Sequence, residues 1–214
     1  MLEVRGLNAG YGRAQVLFDM ALEVRGGEVV ALLGRNGAGK STALKAIMRL
    51  VKPLSGNVVF NGKPVKGLEP YEIARLGLGY VPEDRRIFTD LTVLENLQVA
   101  FQPPRAAAPP WTEKRLFSLF PALGPLRSRR GARMSGGEQQ MLCIARTLAG
   151  NPCAMLLDEP SEGLAPLIVA QVAQAIREIK RAGVAVLLAE QSRHFTDRVA
   201  DRAYVLEKGV ISPG

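Results

Sequence analysis

Gly34-Arg35-Asn36-Gly37-Ala38-Gly39-Lys40-Ser41 has the spacing G-x-x-x-x-G-K-S, a glycine-rich turn closed by a cation and a hydroxyl. Glycines let successive backbone N–H groups converge on one anion, and a helix starting at Lys40 adds its positive end. The anion this suits is a polyphosphate, with Lys40 reaching the β and γ phosphates and Ser41 offering a hydroxyl to Mg²⁺. Farther along, Ala154-Met155-Leu156-Leu157-Asp158-Glu159 is an apolar run that ends in two carboxylates. Asp158 can complete the Mg²⁺ shell, because a hard cation takes oxygen ligands. Glu159, one residue on, can face the γ-phosphate and polarise an attacking water. Alone, two acids after a strand are an ordinary solvated loop start; beside a phosphate loop they read as catalytic.

Met134-Ser135-Gly136-Gly137-Glu138-Gln139-Gln140 is the third stretch. Ser135 is an N-cap, and the two glycines expose the N–H groups of a helix start, which makes a second anion site. Without the other motifs this is an ordinary capped helix. With them, two anion sites in one chain invite a composite arrangement in which the second serves another subunit's nucleotide.

These residues need elements to hold them. The run 28–33 is nearly continuous apolar and too short for a helix, so it predicts a buried strand that delivers the phosphate loop. A helix over 40–50 follows, closed by Pro53. Short β-like runs at 2–5, 16–24 and 57–60 supply strands near the N-terminus, the last before the turn Asn61-Gly62. Further strands are predicted at 154–157, 184–189 and 203–206, the last clear one. Pro166 opens an amphipathic helix to Lys180, with Val169, Val172, Ile176 and Ile179 on one face and Gly183 as its cap. From about Pro82 to Gly150 the strand signals fade. There, 92–100 has helical periodicity, Thr112-Glu113 opens a short helix, and Ser135 begins one through Ala149. Pro103-Pro104 and Pro109-Pro110 bracket an alanine-rich linker. Strand and helix alternating at both ends predict an α/β core with a mainly helical insert at its centre.

The 214 residues, 47% hydrophobic and 22% charged, suit one domain, or one with an inserted lobe. This composition excludes a disordered chain, a collagen-like repeat and a disulfide scaffold. No apolar run approaches the roughly 18–20 residues of a membrane span. Met1-Leu2-Glu3-Val4 lacks the basic start of a signal peptide, so the cytoplasm is expected. Cys143 and Cys153 read as small buried side chains in a reducing compartment. The net charge of +8 is concentrated in 101–150, which hold eight basic and two acidic side chains. A domain-wide polyanion track is therefore not implied.

The three motifs stand in one order, and over its whole length the chain resembles the nucleotide-binding subunit of an ATP-binding cassette (ABC) transporter. It is most similar to the ATPases of branched-chain amino acid and related urea and amide importers. That closer likeness rests on Val81-Pro82-Glu83-Asp84-Arg85-Arg86-Ile87-Phe88, on Pro160-Ser161-Glu162-Gly163-Leu164-Ala165-Pro166 and on Glu190-Gln191. The resemblance implies a P-loop NTPase (RecA-like) α/β core with a mixed β-sheet, an N-terminal antiparallel β portion and an inserted α-helical subdomain. In this single ABC ATPase domain, the core covers about 1–82 and 151–214 and the helical subdomain about 83–150.

It implies ATP and Mg²⁺, and two subunits packed head to tail. Each ATP lies between Gly34, Asn36, Gly37, Ala38, Gly39, Lys40, Ser41 and Thr42 of one subunit and Ser135, Gly136 and Gly137 of the other. Catalysis falls to Glu159, Lys40 and Gln191, and the metal to Ser41, Asp158 and Glu83. Tyr11, in Gly10-Tyr11-Gly12, matches the aromatic that stacks on adenine, and a loop or core tyrosine is the plain alternative. The segment from Pro82, with Glu83, is a lever between the γ-phosphate and the helical lobe. Implied partners are a second ABC ATPase subunit (a copy or a paralogue), integral membrane permease subunits and, indirectly, an external solute-binding protein, with no nucleic acid. The implied place is cytoplasmic, peripheral on the inner face of the cell membrane.

Three positions depart from the family pattern. Glu83 stands where glutamine is usual and adds negative charge beside the phosphates. Gln191 replaces a histidine; it can hydrogen-bond a γ-phosphate but carries no positive charge. His194, three residues later, is expected on a following helix as a surface or packing residue. Glu162-Gly163-Leu164-Ala165 lacks the usual aspartate of the interface loop. Lys40, Glu159 and Ser135 are all kept, so hydrolysis is expected. An exporter motor and a soluble ABC ATPase acting on nucleic acid or the ribosome are the alternatives. The roughly 95 residues between phosphate loop and signature lack the heptads of a repair-type coiled coil, which favours a transporter. Arg127, Arg129, Arg130 and Arg133 are expected near the dimer's nucleotide side or the permease mouth, or on an ordinary solvated surface.

Overall fold

The computed structural model describes residues 1–105 and 110–214. β1 (Leu2–Tyr11) and β2 (Ala14–Val24) pair antiparallel, and β3 (Val29–Leu33) leaves them to start a second sheet. β4 (Ser55–Phe60) and β5 (Lys63–Pro64) return to complete the first, in the order β2-β1-β4-β5. The second sheet adds β6 (Leu78–Val81), β7 (Ala154–Asp158), β8 (Ala185–Glu190), β9 (Arg202–Glu207) and β10 (Val210–Pro213). Its order is β10-β9-β3-β8-β7-β6, parallel throughout except for the β9–β10 hairpin at one edge. The expected mixed sheet and antiparallel N-terminal portion are both present.

Strands β3, β7 and β8 are buried at every residue, as continuous apolar runs predict. Because side chains alternate across a sheet, each strand feeds two cores. Val29, Met155, Leu157, Val186 and Leu188 pack with α5 (Gly136–Ala149) and α6 (Pro166–Arg181). Val30, Leu32, Leu156, Leu187 and Ala189 face α1 (Lys40–Ile47) and the antiparallel sheet. The parallel strands point their carboxyl ends the same way, which gathers the loops after β3, β7 and β8 at one edge.

Several boundaries differ from the sequence expectation, each for a local reason. α1 stops at Ile47 rather than Leu50, because Arg49 takes a left-handed φ of 58° and Val51 N–H turns back to Lys45 O. α2 (Pro70–Leu76) was not anticipated: it is short, opened by a Glu69/Glu72 capping box and closed by Gly77. β6 follows at once, four residues with a glycine among them, too few for a periodic signal. β10 adds a strand beyond the one expected to be last. Strands 2–5 and 57–60 run longer than predicted, to Tyr11 and from Ser55.

Between β6 and β7 the described residues form no named strand. α3 (Val93–Gln98) and α4 (Glu113–Leu119) are capped by Thr92 and Thr112, and two 3₁₀ turns, Pro121–Leu126 and Gly131–Arg133, lead into α5. The alanine-rich linker falls largely on 106–109, outside the described residues. Cys143 and Cys153 are buried and unpaired, as read. Arg127, Arg129, Arg130 and Arg133 are exposed; Arg127 pairs with Glu113 and lies over the Phe117 ring. His194 is exposed on α7 (Arg193–Thr196).

Candidate active site

The turn after β3 needs its glycines. A Cβ on Gly34 would meet Leu206 O at 2.5 Å, and Gly39 has φ 109° with Leu17 and Val16 close by. Gly39 is also the N-cap of α1 and has no side chain to occupy the first-turn N–H groups, which therefore remain donors for an anion. Lys40 is buried, 3% exposed, and its ammonium donates to Gly34 O at 2.8 Å and Arg35 O at 3.2 Å. It also meets Glu159 Oε1 at 2.9 Å. Phosphate-loop cation and candidate base thus face each other directly.

Glu159 follows β7 with φ 45°, and its N–H is fixed to Ala189 O at 2.9 Å. A left-handed glutamate is sparsely populated and is held here by its surroundings. One residue earlier, Asp158 accepts from Ser41 Oγ at 2.9 Å and from the Tyr80 hydroxyl at 3.1 Å. Burial raises the proton affinity of Asp158, the charge of Glu83 adds to this, and the two hydroxyl donors oppose it. Tyr80 is pushed well above the usual phenol range by burial and by Asp158, so it stays a donor.

Glu83 is exposed and shares a cavity of about 250 Å³ with Lys45, Tyr80, Asp84 and Asp158. Gln191 is exposed on a second cavity of about 360 Å³ with Glu159, Ser161, Glu162, Glu190 and Ser192. There the Glu162 carboxyl is pushed up to about 7, first by its hydrogen bond with Glu159, then by burial and the surrounding carboxylates. Tyr11 is half-exposed at the end of β1; the paired strand β2 supplies the Val16 and Leu17 that border Gly39. Thr42 is buried one residue beyond Ser41.

Ser135, Gly136 and Gly137 stand elsewhere. Ser135 caps α5 through a box with Glu138: its N–H donates to Glu138 Oε2 at 2.7 Å, and its hydroxyl accepts from Glu138 N–H at 3.4 Å. A Cβ on Gly136 would meet the Arg85 guanidinium at 2.8 Å, and one on Gly137 would meet Ile168 at 3.0 Å. Among the described residues these three share no hydrogen bond with the phosphate loop. The structure thus brings together Lys40, Ser41, Asp158 and Glu159, puts Glu83 and Gln191 on the rims, and keeps the signature turn apart.

Tyr80 carries no motif, and Glu190 stands in the Glu190-Gln191 pair with no role marked by its type. Nothing marks a tyrosine in a short strand as a carboxylate's partner. Glu190 did leave a trace, since it ends an apolar strand as Asp158 does. Among the described residues no cluster of three or more His, Cys, Asp or Glu could hold a metal.

The family model for the ABC transporter matches residues 17–162. The branched-chain amino acid transport ATP-binding protein BraG of Pseudomonas aeruginosa is 43% identical, over 99% of this chain and 91% of the relative. The lipopolysaccharide export ATP-binding protein LptB of Acidithiobacillus ferridurans is 34% identical, over 99% and 88%. A solved ATP-binding subunit of an ABC transporter superposes with a TM-score of 0.85 at 31% identity, covering 100% of this chain and 90% of that one.

Proposed function

Since the chain belongs to the ABC transporter ATP-binding family, we propose that it is the motor subunit of an importer for branched-chain amino acids or related small amides. The chain is an ABC ATPase. The observation that carries the residue roles is the meeting of the start of α1 with the end of β7, Lys40 with Glu159 and Ser41 with Asp158, each at 2.9 Å. The loop N–H groups from Gly34 to Gly39, with Ser41 and Thr42, cradle the phosphates, and Tyr11 stacks on adenine. Lys40 turns from Glu159 to the β and γ phosphates. Glu159 accepts the proton of the attacking water, and Gln191 donates a hydrogen bond to the γ-phosphate.

A hydroxyl and a carboxylate in direct contact are a hard-oxygen pair that fits Mg²⁺. Ser41 and Asp158 would hold the ion, with Glu83 at the rim, and it would withdraw charge from the phosphate oxygens. In the pair of subunits, Ser135, Gly136 and Gly137 of one chain close over the nucleotide of the other. The core covers about 1–82 and 151–214 and the helical lobe 83–150.

A groove of about 480 Å³ lined by Met48, Leu50, Tyr71, Ala100 and Arg146 is the seat for the permease, an apolar floor with cationic edges. No helix among the described residues is long and apolar enough to cross a membrane. Docking on the permease places the chain at the inner membrane face. The 43% identity to BraG supports an amino-acid cargo, and the likeness to LptB keeps export as the second reading. Glu159→Gln should bind ATP without hydrolysing it and accumulate as a nucleotide-bound dimer in light scattering. A variant that stays monomeric with ATP sinks the paired mechanism. Uptake of labelled leucine by vesicles containing the matched permease and binding protein separates importer from exporter.

A further inference from the structure

β8 lies between β3 and β7, and Glu190, its last residue, is 2% exposed. Both carboxylate oxygens are fully used. Oε1 accepts from the Ser161 hydroxyl at 2.6 Å and the Ser161 N–H at 3.1 Å. Oε2 accepts from Gln191 N–H at 3.1 Å and Ser192 N–H at 3.2 Å. The backbone oxygen of the same residue accepts from Gly34 N–H at 3.2 Å. Three loops, those following β3, β7 and β8, therefore meet on one residue.

Fold stability calls for acceptors for these four donors but not for a full negative charge. The other five residues of β8 are apolar and buried, and a neutral sixth would avoid the desolvation of a charge that has no ion-pair partner among the described residues. What the carboxylate adds is geometry. It fastens Ser161, two residues after Glu159, to the turn that presents Gln191. Gln191 has no charge with which to be drawn to a phosphate, so its placement depends on the backbone that carries it. We propose that Glu190 is a positioning residue for ATP hydrolysis, setting the loop of Glu159 and the turn of Gln191 in one fixed relation. The proposal rests on the ATPase reading above.

The test compares turnover and ATP affinity for Glu190→Ala, Glu190→Gln and Ser161→Ala in the full chain. Glutamine can keep its carbonyl on the Gln191 and Ser192 N–H groups while its amide donates to the Ser161 hydroxyl. Only the Ser161 N–H then loses its acceptor, whereas alanine satisfies none. Expected are a fall in kcat of about 10- to 100-fold for Glu190→Ala, as for a reacting group displaced by about an ångström. Glu190→Gln and Ser161→Ala should lose about three- to fivefold, the loss of roughly one hydrogen bond. ATP Kd should stay within about threefold throughout, since the phosphate loop is untouched, and Ser161→Ala should cost nothing further on top of Glu190→Ala. The two milder variants keep the test valid if Glu190→Ala does not fold. Unchanged kcat in both of them overturns the proposal, and so does a fall in ATP affinity that matches the fall in kcat, the mark of general loosening. A wild-type chain without turnover overturns the ATPase reading instead.

Discussion

The phosphate end and the signature turn both combine glycines with a helix start, but the chain secures them differently. At the phosphate end the contacts are long-range: Ser41 and Asp158 are 117 residues apart in sequence, and the parallel sheet brings them to 2.9 Å. At the signature turn the hydrogen bonds are local, Ser135 with Glu138, and the glycines serve to admit Arg85 and Ile168. One site is assembled by the fold with its cation, candidate base and metal-fitting pair already in contact. The other is a capped helix start with no candidate catalytic group of its own. A site that holds the chemistry and a site that holds only donors are complementary halves, which is the physical reason to expect pairing.

The strongest way to break this contrast is to disable the assembled half. Lys40→Ala should lower ATPase turnover by about a thousandfold, because the cation proposed to meet the γ-phosphate is gone. It should also destabilise the fold by about 3 kcal/mol, since Glu159 is left buried without its partner. Phosphate release and thermal melting check both, and substantial residual turnover would mean that the signature half carries chemistry of its own. Next comes Gly137→Ala, whose new methyl presses on Ile168. Turnover should fall about 10- to 100-fold with ATP affinity unchanged, and ATP should no longer pair the chains in a Glu159→Gln background. If ATP affinity falls instead, the two halves are not separate. Tyr80→Phe is milder: losing one hydroxyl donor to Asp158 should raise the Mg²⁺ concentration for half-maximal turnover about fivefold.

The smallest effect is on stability against pH. Glu162 binds a proton in the folded chain up to about 7, against an ordinary value of 4.5. Between those values the folded state holds a proton that the unfolded state releases. Its contribution is complete below about 4.5 and is lost as pH rises through 7. Glu162→Gln should therefore flatten the decline in melting temperature between pH 5 and 8 (roughly that window). An unchanged slope would show that the folded chain does not hold the extra proton on Glu162.

The assembled half was largely legible because its residues adjoin short, continuous apolar strands, Asp158 and Glu159 at the end of β7 and Lys40 and Ser41 at the start of the helix after β3, where type and spacing suffice. Lys40, Ser41, Asp158 and Glu159 meet in the structure as their motifs predict, although the motifs gave no sign that Lys40 and Glu159 touch. Tyr80 and Glu190 join the site through tertiary contacts, Tyr80 from a strand of four residues and Glu190 by its hydrogen bonds with Ser161, 29 positions away. Neither leaves a periodic signature. α2 was missed for a similar reason, since seven residues between a glutamate cap and a glycine carry too few turns to register.

Because β7 and β8 bury alternate residues in opposite cores, sequence neighbours can serve as independent reporters. Met155 and Leu156 touch different halves of the molecule, as do Val186 and Leu187. Methyl labels on such a pair share one backbone and one local mobility. A chemical-shift change in Met155 and Val186 alone, on adding nucleotide, marks a rearrangement on the α5–α6 side, and one in the labelled leucines marks the side of α1. Two adjacent resonances thus suffice to tell which layer moves.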